Sequence, residues 1–332
     1  MCPPDALIIT RRDIQRVMAP ADYLAAVERA FRAAELGKAH SPHPMHLPMQ
    51  GGGFHAKGAS ISLDRDYVAV KVNGNFPRNP TELGLPTIQG AILLFDGSNG
   101  VLLAIIDSIE VTLRRTAAAS ALAARLLARP DSRTLLICGC GEQGRAHVEA
   151  IRDSLPIERC LLWDQDVARA EQLAAEIRNV SGLDALAFED LKSAAGSADL
   201  IACCTTSREP ILDVGMVAPG TFIAAVGADH PYKSEIAPRL MAEATVVTDV
   251  LAQCAEMGDL HHAIEAGTMT EADVHAEIGQ LLVGSKAGRS SPQEMIIFDS
   301  TGTGLQDVAA AAVIYELCRG DGSLLSTALA AR

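Results

Sequence analysis

The chain has 332 residues, of which 48% are hydrophobic and 21% are charged. This composition is typical of folded globular proteins and too apolar for intrinsic disorder, and the length is typical of two domains. The 28 basic and 41 acidic residues give a formal net charge of −13, which argues against nucleic acids and anionic membranes as partners because both attract cationic faces.

The sequence favours a cytoplasmic protein over a secreted or membrane protein. The first residues, MCPPDALIITRRD, lack the basic stretch and apolar run of a signal peptide. The longest stretch without a charged residue or histidine covers 214–228 and is too short to span a bilayer. Eight cysteines in this length are too few for a disulfide scaffold, and their spacing matches no zinc motif. We therefore expect buried free thiols and no metal site.

Hydrophobic periodicity predicts a helix followed by a sheet in the first third of the chain. Gly37 and Pro130 are stop signals for helices, and the sequence DGSNG at 96–100 predicts a hairpin turn. The predicted elements are a helix over 21–36, strands over 67–75, 87–95 and 101–106, and an Ala/Leu-rich helix over 111–128.

After Pro130, short apolar runs alternate with helical runs. Fully apolar strands separated by helices are typical of a parallel sheet covered on both faces. The predicted strands cover 134–138, 160–163, 200–204, 221–227, 245–248 and 295–298, and the predicted helices cover 143–154, 167–177 and 303–319. The sequence therefore predicts an α/β fold with a doubly wound parallel sheet.

A dinucleotide-binding fingerprint follows the first predicted strand of this region. Gly139, Gly141 and Gly144 form a GxGxxG sequence, and a helix is expected to begin at the third glycine. The first glycine permits a tight turn, the second lets the backbone approach a pyrophosphate, and the third allows close packing of helix and strand. The N–H groups at the start of the helix, beside Gln143, are then expected to bind the phosphates.

An acid at the end of the next strand indicates which nicotinamide cofactor binds. Asp164 lies 20 residues after Gly144, the interval typical of an acid that hydrogen-bonds the ribose hydroxyls. Its carboxylate would repel a 2′-phosphate and Gln165 supplies no cation, so the sequence favours NAD(H) over NADP(H). Arg169 lies one helical turn further along and leaves NADP(H) binding open.

Five segments together resemble the ornithine cyclodeaminase/μ-crystallin family. They are VKVNGNFPRNPTELGLPTIQG at 70–90, TLRRTAAASALAARLLA at 112–128, ICGCGEQG at 137–144, VGADHPYKSEI at 226–236 and FDSTGTGLQD at 298–307. The resemblance implies a homodimer that transfers hydride between a nicotinamide and the α-carbon of an amino or imino acid. It also implies that a Rossmann NAD-binding domain, 116–302, is inserted in an α+β substrate-binding and dimerisation domain formed by 1–115 and 303–332.

Three charged residues are candidates for substrate binding and catalysis. Lys71 lies between two valines of a predicted strand, where burial of an ammonium is costly unless it is paired or used; an edge-strand lysine that faces water is the alternative. The resemblance assigns Lys71 to the substrate carboxylate or to proton donation, and Arg115 to a bidentate carboxylate clamp. It assigns Asp229, which could otherwise cap a helix, to the substrate amine and to acid–base chemistry. Thr116 and Ser300 are expected on the cofactor side.

The sequence departs from the family at three places that bear on the substrate. His46 stands where relatives commonly have an arginine, so its contact with a substrate carboxylate is expected to be weaker or pH-dependent. Lys57 and Gly58 stand near the position of an acid that suits the second amino group of ornithine, and a cation there would repel that group. Tyr232 replaces a glycine and is expected to narrow the pocket.

These observations favour an NAD(H)-dependent imino-acid reductase or amino-acid dehydrogenase. Ornithine cyclodeaminase, an ammonia lyase that recycles NAD internally, is the second hypothesis. A non-catalytic, crystallin-like binding protein is the third, against which the joint presence of Lys71, Arg115 and Asp229 argues. The sequence does not identify the substrate's side chain, because single pocket residues change it within one fold.

Overall fold

The computed structural model describes residues 5–329, which divide into two compact units. The first unit takes in the chain up to Arg115 and again from Thr303, and the second covers Thr116–Gly302. The outermost residues that the sequence assigned to the first domain, 1–4 and 330–332, lie outside the described part. None of the helices within 5–329 is both long and apolar enough to cross a membrane.

The strands and helices are numbered in chain order. The strands are β1 Ala6–Ile9, β2 Ala39–His40, β3 Met45–Met49, β4 Gly52–Ser62, β5 Asp66–Asn75, β6 Ile88–Asp96, β7 Leu102–Asp107, β8 Thr134–Cys138, β9 Arg159–Trp163, β10 Asp184–Ala187, β11 Leu200–Cys203, β12 Phe222–Ala225, β13 Thr245–Thr248, β14 Ala276–Glu277, β15 Ile296–Asp299 and β16 Leu325–Thr327. The helices are α1 Arg11–Val17, α2 Pro20–Glu35, α3 Asn79–Glu82, α4 Ser108–Leu127, α5 Glu142–Ser154, α6 Val167–Ser181, α7 Leu191–Gly196, α8 Pro238–Glu243, α9 Leu251–Met257, α10 Asp259–Glu265, α11 Ile278–Val283 and α12 Gly304–Cys318, with a 3₁₀ turn at Glu271–Asp273.

The first unit is a mixed sheet with helices packed on it. Its strand order is β16-β1-β7-β6-β5-β4-β2, and β3 pairs with β4. Neighbouring strands are antiparallel except β1 and β7, which are parallel. The α12 helix packs against α2, β4 and β5. Since β5 lies between β4 and β6, the strand that carries Lys71 is an interior one, and the edge-strand alternative for this lysine is wrong.

The start of α12 is fixed on this sheet by a close backbone contact. Residues 304–312 are buried on all sides of the helix, as their apolar sequence requires. A Cβ atom at Gly304 would come within 2.4 Å of the Gly58 carbonyl oxygen on β4. Ser41 donates its hydroxyl to the same oxygen at 3.0 Å. Because only a glycine permits this approach, Gly304 determines where α12 meets the sheet.

The second unit is a doubly wound parallel sheet. Its strand order is β10-β9-β8-β11-β12-β15-β13-β14, and every neighbouring pair is parallel. The β11, β12 and β15 strands are wholly buried, which explains their continuous apolar sequences. The strand order reverses between β8 and β11, and in such sheets ligands bind beyond the carboxyl ends of the strands at the reversal.

The sequence predicted most of the main elements of both units and missed one long strand, β4, and several short elements. The predicted α/β class and parallel sheet are confirmed, and the predicted elements agree with the structure to within a few residues. One correction concerns the helix after the glycine turn: it begins at Glu142, not Gly144, because Gly141 is already its N-cap. The β4 strand was not predicted, since its sequence, GGFHAKGASIS, has three glycines and little apolar alternation. The cysteines within 5–329 are free thiols, as expected.

A buried hydrogen-bonded pair joins α4 to α5 within the second unit. The Nδ1–H of His147 donates to the Gln143 carbonyl oxygen at 2.7 Å, so its Nε2 accepts the hydroxyl of Ser120 at 2.9 Å. Both side chains are fully buried. Burial lowers the pKa of His147 to about 4, so this histidine is neutral in the folded chain at neutral pH.

The buried His147 predicts a loss of stability in mild acid. Its pKa is 6.5 when exposed and about 4 in the fold, so between these values the unfolded chain binds a proton that the folded chain does not. The free energy of unfolding should therefore fall by about 3 kcal/mol from this group as the pH falls from 6.5 to 4. Denaturant titrations from pH 7 to pH 4.5 measure the decline. The double variant Ser120→Ala, His147→Leu removes the titrating group, so its free energy of unfolding should decline less over this pH range. An equal decline in the double variant would show that His147 does not cause the loss of stability.

Candidate functional site

Two cations and one carboxylate form a buried group in the first unit, here named the cation cluster: Lys71, Arg115 and Asp307. Lys71 lies on β5 and Arg115 on α4, and each is at most 4% exposed. The Asp307 carboxylate lies between them, with Oδ2 at 2.7 Å from Lys71 Nζ and Oδ1 at 3.1 Å from Arg115 Nε. Because buried charges are stable only when paired, both cations depend on this carboxylate.

Neighbouring polar groups add hydrogen bonds to the cluster. Gln306 Oε1 accepts from Arg115 Nη1 at 2.6 Å, and Thr112 Oγ1 accepts from Lys71 Nζ at 3.3 Å. Gln306 and Asp307 lie in the first turn of α12, the part of the helix that Gly304 holds against β4. The cluster is thus positioned by a buried helix and by hydrogen bonds from its neighbours.

The cluster carries more positive than negative charge. Lys57 lies opposite Lys71 in the β4–β5 register, so both side chains project from the same face of the sheet. The pKa of Lys71 falls to about 7 because burial and the positive charges of Arg115 and Lys57 outweigh the attraction of Asp307. Although burial raises the pKa of Asp307, the cations hold it below its ordinary value. Lys71 can therefore lose its proton much more readily than an exposed lysine, which suits anion binding and proton exchange.

His46 lies on the same face of the sheet, exposed. It stands on β3 opposite His55 of β4, with 3.2 Å between the two Nδ1 atoms. Side chains two residues apart on a strand share a face, so His46, His55 and Lys57 line one side of the sheet together with Lys71. The structure thus places a histidine pair along the face that carries the cation cluster.

Sequence reasoning did not single out Gln306 and Asp307. Their signal is nevertheless present, since these two polar residues interrupt GLQDVAAAAVIY, a helix too apolar to face water. A charged side chain in such a helix is buried and therefore needs an ion-pair or hydrogen-bond partner inside the protein. The identity of that partner depends on the fold, because Lys71 and Asp307 are 236 residues apart in the chain.

The glycine turn lies at the carboxyl end of β8 in the second unit. Gly139 has a φ of +97°, and a Cβ atom there would come within 2.9 Å of the Cys204 carbonyl oxygen, so no larger residue fits. Gly144 lies against the turn, since its Cβ atom would come within 2.2 Å of the Gly139 oxygen. Gly141 faces open space instead. The N–H groups at the start of α5 are therefore not covered by a side chain at Gly141, an arrangement that fits a pyrophosphate.

Asp164 lies beside this turn, at the end of β9. Its Oδ2 accepts the N–H of Cys140 at 2.7 Å, and its Oδ1 accepts that of Asp166 at 2.9 Å. The carboxylate is only partly buried and has capacity for further hydrogen bonds to a ligand's hydroxyl groups. Gln143 lies partly buried in the first turn of α5. Arg169 is largely exposed and pairs with Asp166 at 3.6 Å.

Loops after β12 and β15 carry other predicted residues of this unit. The side chain of Asp229 is half-exposed, with Oδ1 at 2.7 Å from Lys233 Nζ. No helix of the described chain begins at Asp229, so the alternative of a helix cap is wrong. Ser300 is buried and donates its hydroxyl to Asp249 Oδ2 at 2.8 Å. Tyr232 is 70% exposed.

Several predicted residues gather at one edge of the parallel sheet, because the carboxyl ends of its strands meet there. These residues are Gly139, Asp164, Asp229 and Ser300. Thr116 differs from them, since it lies partly buried on α4 and not in a loop that follows a strand of this sheet. The edge therefore combines a glycine turn with two carboxylates and a hydroxyl.

A group of possible metal ligands lies on α10. His261, His262 and Glu265 each offer one ligand atom, and these atoms lie within 4.8 Å of one another. Both imidazoles hydrogen-bond to backbone carbonyl oxygens, of Ala255 and Lys233. Glu265 is exposed and pairs with His261 one turn earlier. Since such pairs are common on helix surfaces, we assign no metal to this group.

Comparisons with known proteins find relatives along nearly the whole chain. The model of the ornithine cyclodeaminase/mu-crystallin family matches residues 5–322. The alanine dehydrogenase of Archaeoglobus fulgidus is 35% identical over 314 residues, which are 94% of this chain and 95% of that protein. An archaeal alanine dehydrogenase dimer with bound NAD has a TM-score of 0.92 at 33% identity, with 97% of this chain and 99% of that chain covered. The Thermococcus litoralis Delta(1)-pyrroline-2-carboxylate reductase, in complex with NADH and L-proline, has a TM-score of 0.91 at 29% identity and the same coverage.

Replacement of Asp307 tests how far the cation cluster depends on its carboxylate. Asp307→Asn leaves two buried cations without a counter-charge, and we expect the free energy of unfolding to fall by about 3–5 kcal/mol. Denaturant titration measures this loss. The control is Asp184→Asn, which removes the exposed partner of Arg159 and should change stability much less. Equal losses in the two variants would show that the cluster does not need its carboxylate.

Proposed function

Because the chain belongs to the ornithine cyclodeaminase/mu-crystallin family, we propose that it transfers hydride between NAD(H) and the α-carbon of an amino or imino acid. The observation that carries this proposal is the cation cluster, in which two buried cations share one carboxylate. Its net positive charge suits one substrate carboxylate. The relatives named alanine dehydrogenase and pyrroline-carboxylate reductase support the same reaction class. The protein is then an imino-acid reductase or an amino-acid dehydrogenase.

The glycine turn is the proposed cofactor site. NADH, when bound, supplies the hydride for reduction, and NAD accepts it in the reverse direction. Asp164 supports a preference for NAD(H) over NADP(H), because its carboxylate would repel a 2′-phosphate and Arg169 is paired with Asp166. The proposed contacts are Gly139, Gly141, Gln143, Gly144 and Asp164 on the phosphate and ribose side and Ser300 on the nicotinamide side, and Thr116 is a further proposed cofactor contact.

The substrate's α-carboxylate binds at the cation cluster in this proposal. The planar guanidinium of Arg115 can donate two parallel hydrogen bonds to a carboxylate, and the Lys71 ammonium adds a compact charge. Asp307 holds both cations in place before the substrate arrives. His46 extends the same face and is proposed as a further polar contact of the substrate. A substrate fixed in this way presents its α-carbon in one orientation, and such positioning supplies much of the acceleration.

Asp229 is the proposed site of proton exchange. Reduction of an imine places the hydride on the α-carbon and a proton on the nitrogen, and oxidation of an amine removes both. The Asp229 carboxylate is half-exposed and pairs with Lys233, so it can exchange protons with water between turnovers. Asp229 therefore serves as the acid in reduction and the base in oxidation.

The charge of the substrate face favours a reductase or dehydrogenase over an ornithine cyclodeaminase. A diamino acid brings a second ammonium, which on this face would meet Lys57 in addition to Lys71 and Arg115. Two like charges about 5 Å apart repel by roughly 1 kcal/mol in water and more inside a protein. The cyclodeaminase is kept as the alternative. A non-catalytic binding protein has no need of Lys71, Arg115 and Asp229 together.

A homodimer in the cytoplasm is the proposed state of the protein. The sheet face opposite Lys71 is apolar and exposed across β3, β4 and β5, through Met45, Leu47, Met49, Phe54 and Val72. An exposed apolar patch is typical of a protein interface, and the archaeal alanine dehydrogenase is a dimer. Free cysteines and a nicotinamide cofactor fit a reducing compartment.

A panel of substrates with both reduced cofactors tests the proposed reaction. We expect the protein to oxidise NADH, and NADPH more slowly, in the presence of α-keto acids with ammonia or of cyclic ketimines. The loss of cofactor absorbance measures this turnover. Under the cyclodeaminase alternative, ornithine is consumed without a net change in NADH. Binding of these compounds without any turnover would support the binding-protein hypothesis and contradict the proposal.

The active-site control for this panel is Asp229→Ala. Loss of its proton exchange should lower kcat by about 10²–10⁴-fold while NADH still binds, since Asp229 is not part of the glycine turn. Asp213→Ala removes another partly exposed, ion-paired aspartate of the same unit and should keep its activity. Unchanged turnover in Asp229→Ala would show that the assignment of this residue is wrong.

A charge placed on the apolar face tests the proposed dimer. Leu47→Glu introduces a carboxylate that would lose its hydrating water in an interface. We therefore expect the dissociation constant of the dimer to rise at least about tenfold. Sedimentation or light scattering gives the mass. The control is Leu186→Glu on β10, where the native leucine is similarly exposed. Dimers of equal stability in both variants would exclude this face as the interface.

A further inference from the structure

Glu235 joins two loops at the carboxyl edge of the second unit's sheet. One loop, 204–207, follows β11, and the other, 226–233, follows β12 and carries Asp229. Glu235 Oε1 accepts the N–H of Thr205 at 2.6 Å, and Oε2 accepts the N–H of Gly227 at 2.7 Å. The side chain is fully buried. Each oxygen thus holds one loop through a short hydrogen bond.

The two loops approach each other too closely to shift independently. A Cβ atom at Gly227 would come within 2.4 Å of the Thr205 carbonyl oxygen and within 2.5 Å of Glu235 Cδ. The loops therefore meet through backbone atoms, and the Glu235 carboxylate fills the space beside that contact. Displacement of either loop stretches a short hydrogen bond.

A second buried acid fixes the backbone of Glu235. Asp259 Oδ1 accepts the N–H of Glu235 at 2.8 Å and that of Ile236 at 3.0 Å. Asp299, at the end of β15, accepts the N–H groups of Asp259 and Leu260 at 3.3 and 2.9 Å. Asp299 thus fixes the segment that carries Asp259, and Asp259 fixes the segment that carries Glu235. Glu235 is therefore anchored to the sheet through Asp259 and Asp299.

Burial of three neighbouring acids, Glu235, Asp259 and Asp299, costs free energy of folding. This cost indicates that Glu235 has a role besides packing. Burial, together with the neighbouring Asp259, raises the pKa of Glu235 to about 8, although the N–H groups of Thr205 and Gly227 oppose the rise. A well-packed neutral side chain of similar size avoids that cost. The feature that an apolar or amide side chain cannot reproduce is a carboxyl group whose two oxygens are aimed at two backbone N–H groups.

We propose that Glu235 is a positioning residue for the reaction, which holds the loop 226–233, and with it Asp229, against the loop 204–207. This role rests on the proposed function of Asp229. Asp229 follows Gly227 by two residues, so a shift of the Gly227 amide is transmitted to its carboxylate over roughly 7 Å of chain. A misplacement of about 1 Å near reacting groups can cost about a hundredfold in rate.

The test is Glu235→Gln, which keeps the size of the side chain and replaces one acceptor oxygen by an NH₂ group. That group faces a backbone N–H and cannot accept from it. We expect kcat for imine reduction to fall by roughly tenfold to a hundredfold, with little change in KM for NADH. Glu235→Asp keeps both acceptor oxygens on a shorter side chain, and its kcat should lie between those of Glu235→Gln and the native protein.

The matched control is Glu294→Gln. Glu294 also bridges two segments of the second unit, through Thr245 and Ser290, but it lies before β15, at the amino end of the sheet. Its loss should lower stability without lowering kcat. If kcat falls in proportion to the loss of stability in both glutamine variants, the effect of Glu235→Gln on kcat is only a loss of stability, and the positioning role is overturned.

Amide hydrogen exchange separates this inference from the proposed function. Glu235→Gln should speed exchange over 226–233, whereas Glu294→Gln should not. If the native protein reduces no imine, the proposed function fails and the positioning role fails with it, while exchange still shows whether Glu235 holds the loop. Unchanged exchange over 226–233, or faster exchange with kcat at the native value, would overturn the inference.

Discussion

Two cations lie inside the first unit because one carboxylate lies between them. Removing an ammonium and a guanidinium from water costs several kcal/mol for each ion, and Asp307 offsets this cost by binding Lys71 and Arg115 at once. Asp307 is held there by α12, whose start is fixed on β4 by the contact of Gly304. One close backbone contact therefore places a helix, the helix places a carboxylate, and the carboxylate orients two cations. In the proposed reaction the substrate meets charges that need no rearrangement.

The second unit holds its buried acids by different means. Glu235, Asp259 and Asp299 are bound by backbone N–H groups, whereas Asp307 is bound by cations. Since those N–H groups belong to loops at strand ends, each acid is stabilised by a loop and fixes the shape of that loop. The parallel sheet brings the strand ends to one edge. A rigid sheet thus supports loops whose geometry is set by buried acids, and these loops carry the proposed cofactor and proton-exchange residues.

Much of this arrangement can be predicted from the sequence, because its main signals are local. Apolar runs identify the strands of the second unit, and the glycines identify the turn after β8. Lys71 stands out because a charge between valines is costly. The role of Asp307 is not local, since its partners are far away in the chain, and the place of Lys57 opposite Lys71 depends on a glycine-rich strand that lacks the usual pattern. Glu235 lies within a segment that resembles the family, yet its two bonds appear only when two loops meet.

The proton on Lys71 links substrate binding to pH in the proposed enzyme. Burial and the neighbouring cations lower the pKa of this side chain to about 7, so the net charge of the cation cluster falls from positive to zero as the pH rises through that value. A substrate carboxylate binds the charged state more strongly, and by linkage its binding raises the pKa of Lys71. Above neutral pH, binding therefore takes up a proton, and the affinity for substrate falls as the pH rises. Arg115 keeps its charge throughout, so Arg115 provides the constant part of the attraction and Lys71 the part that responds to pH.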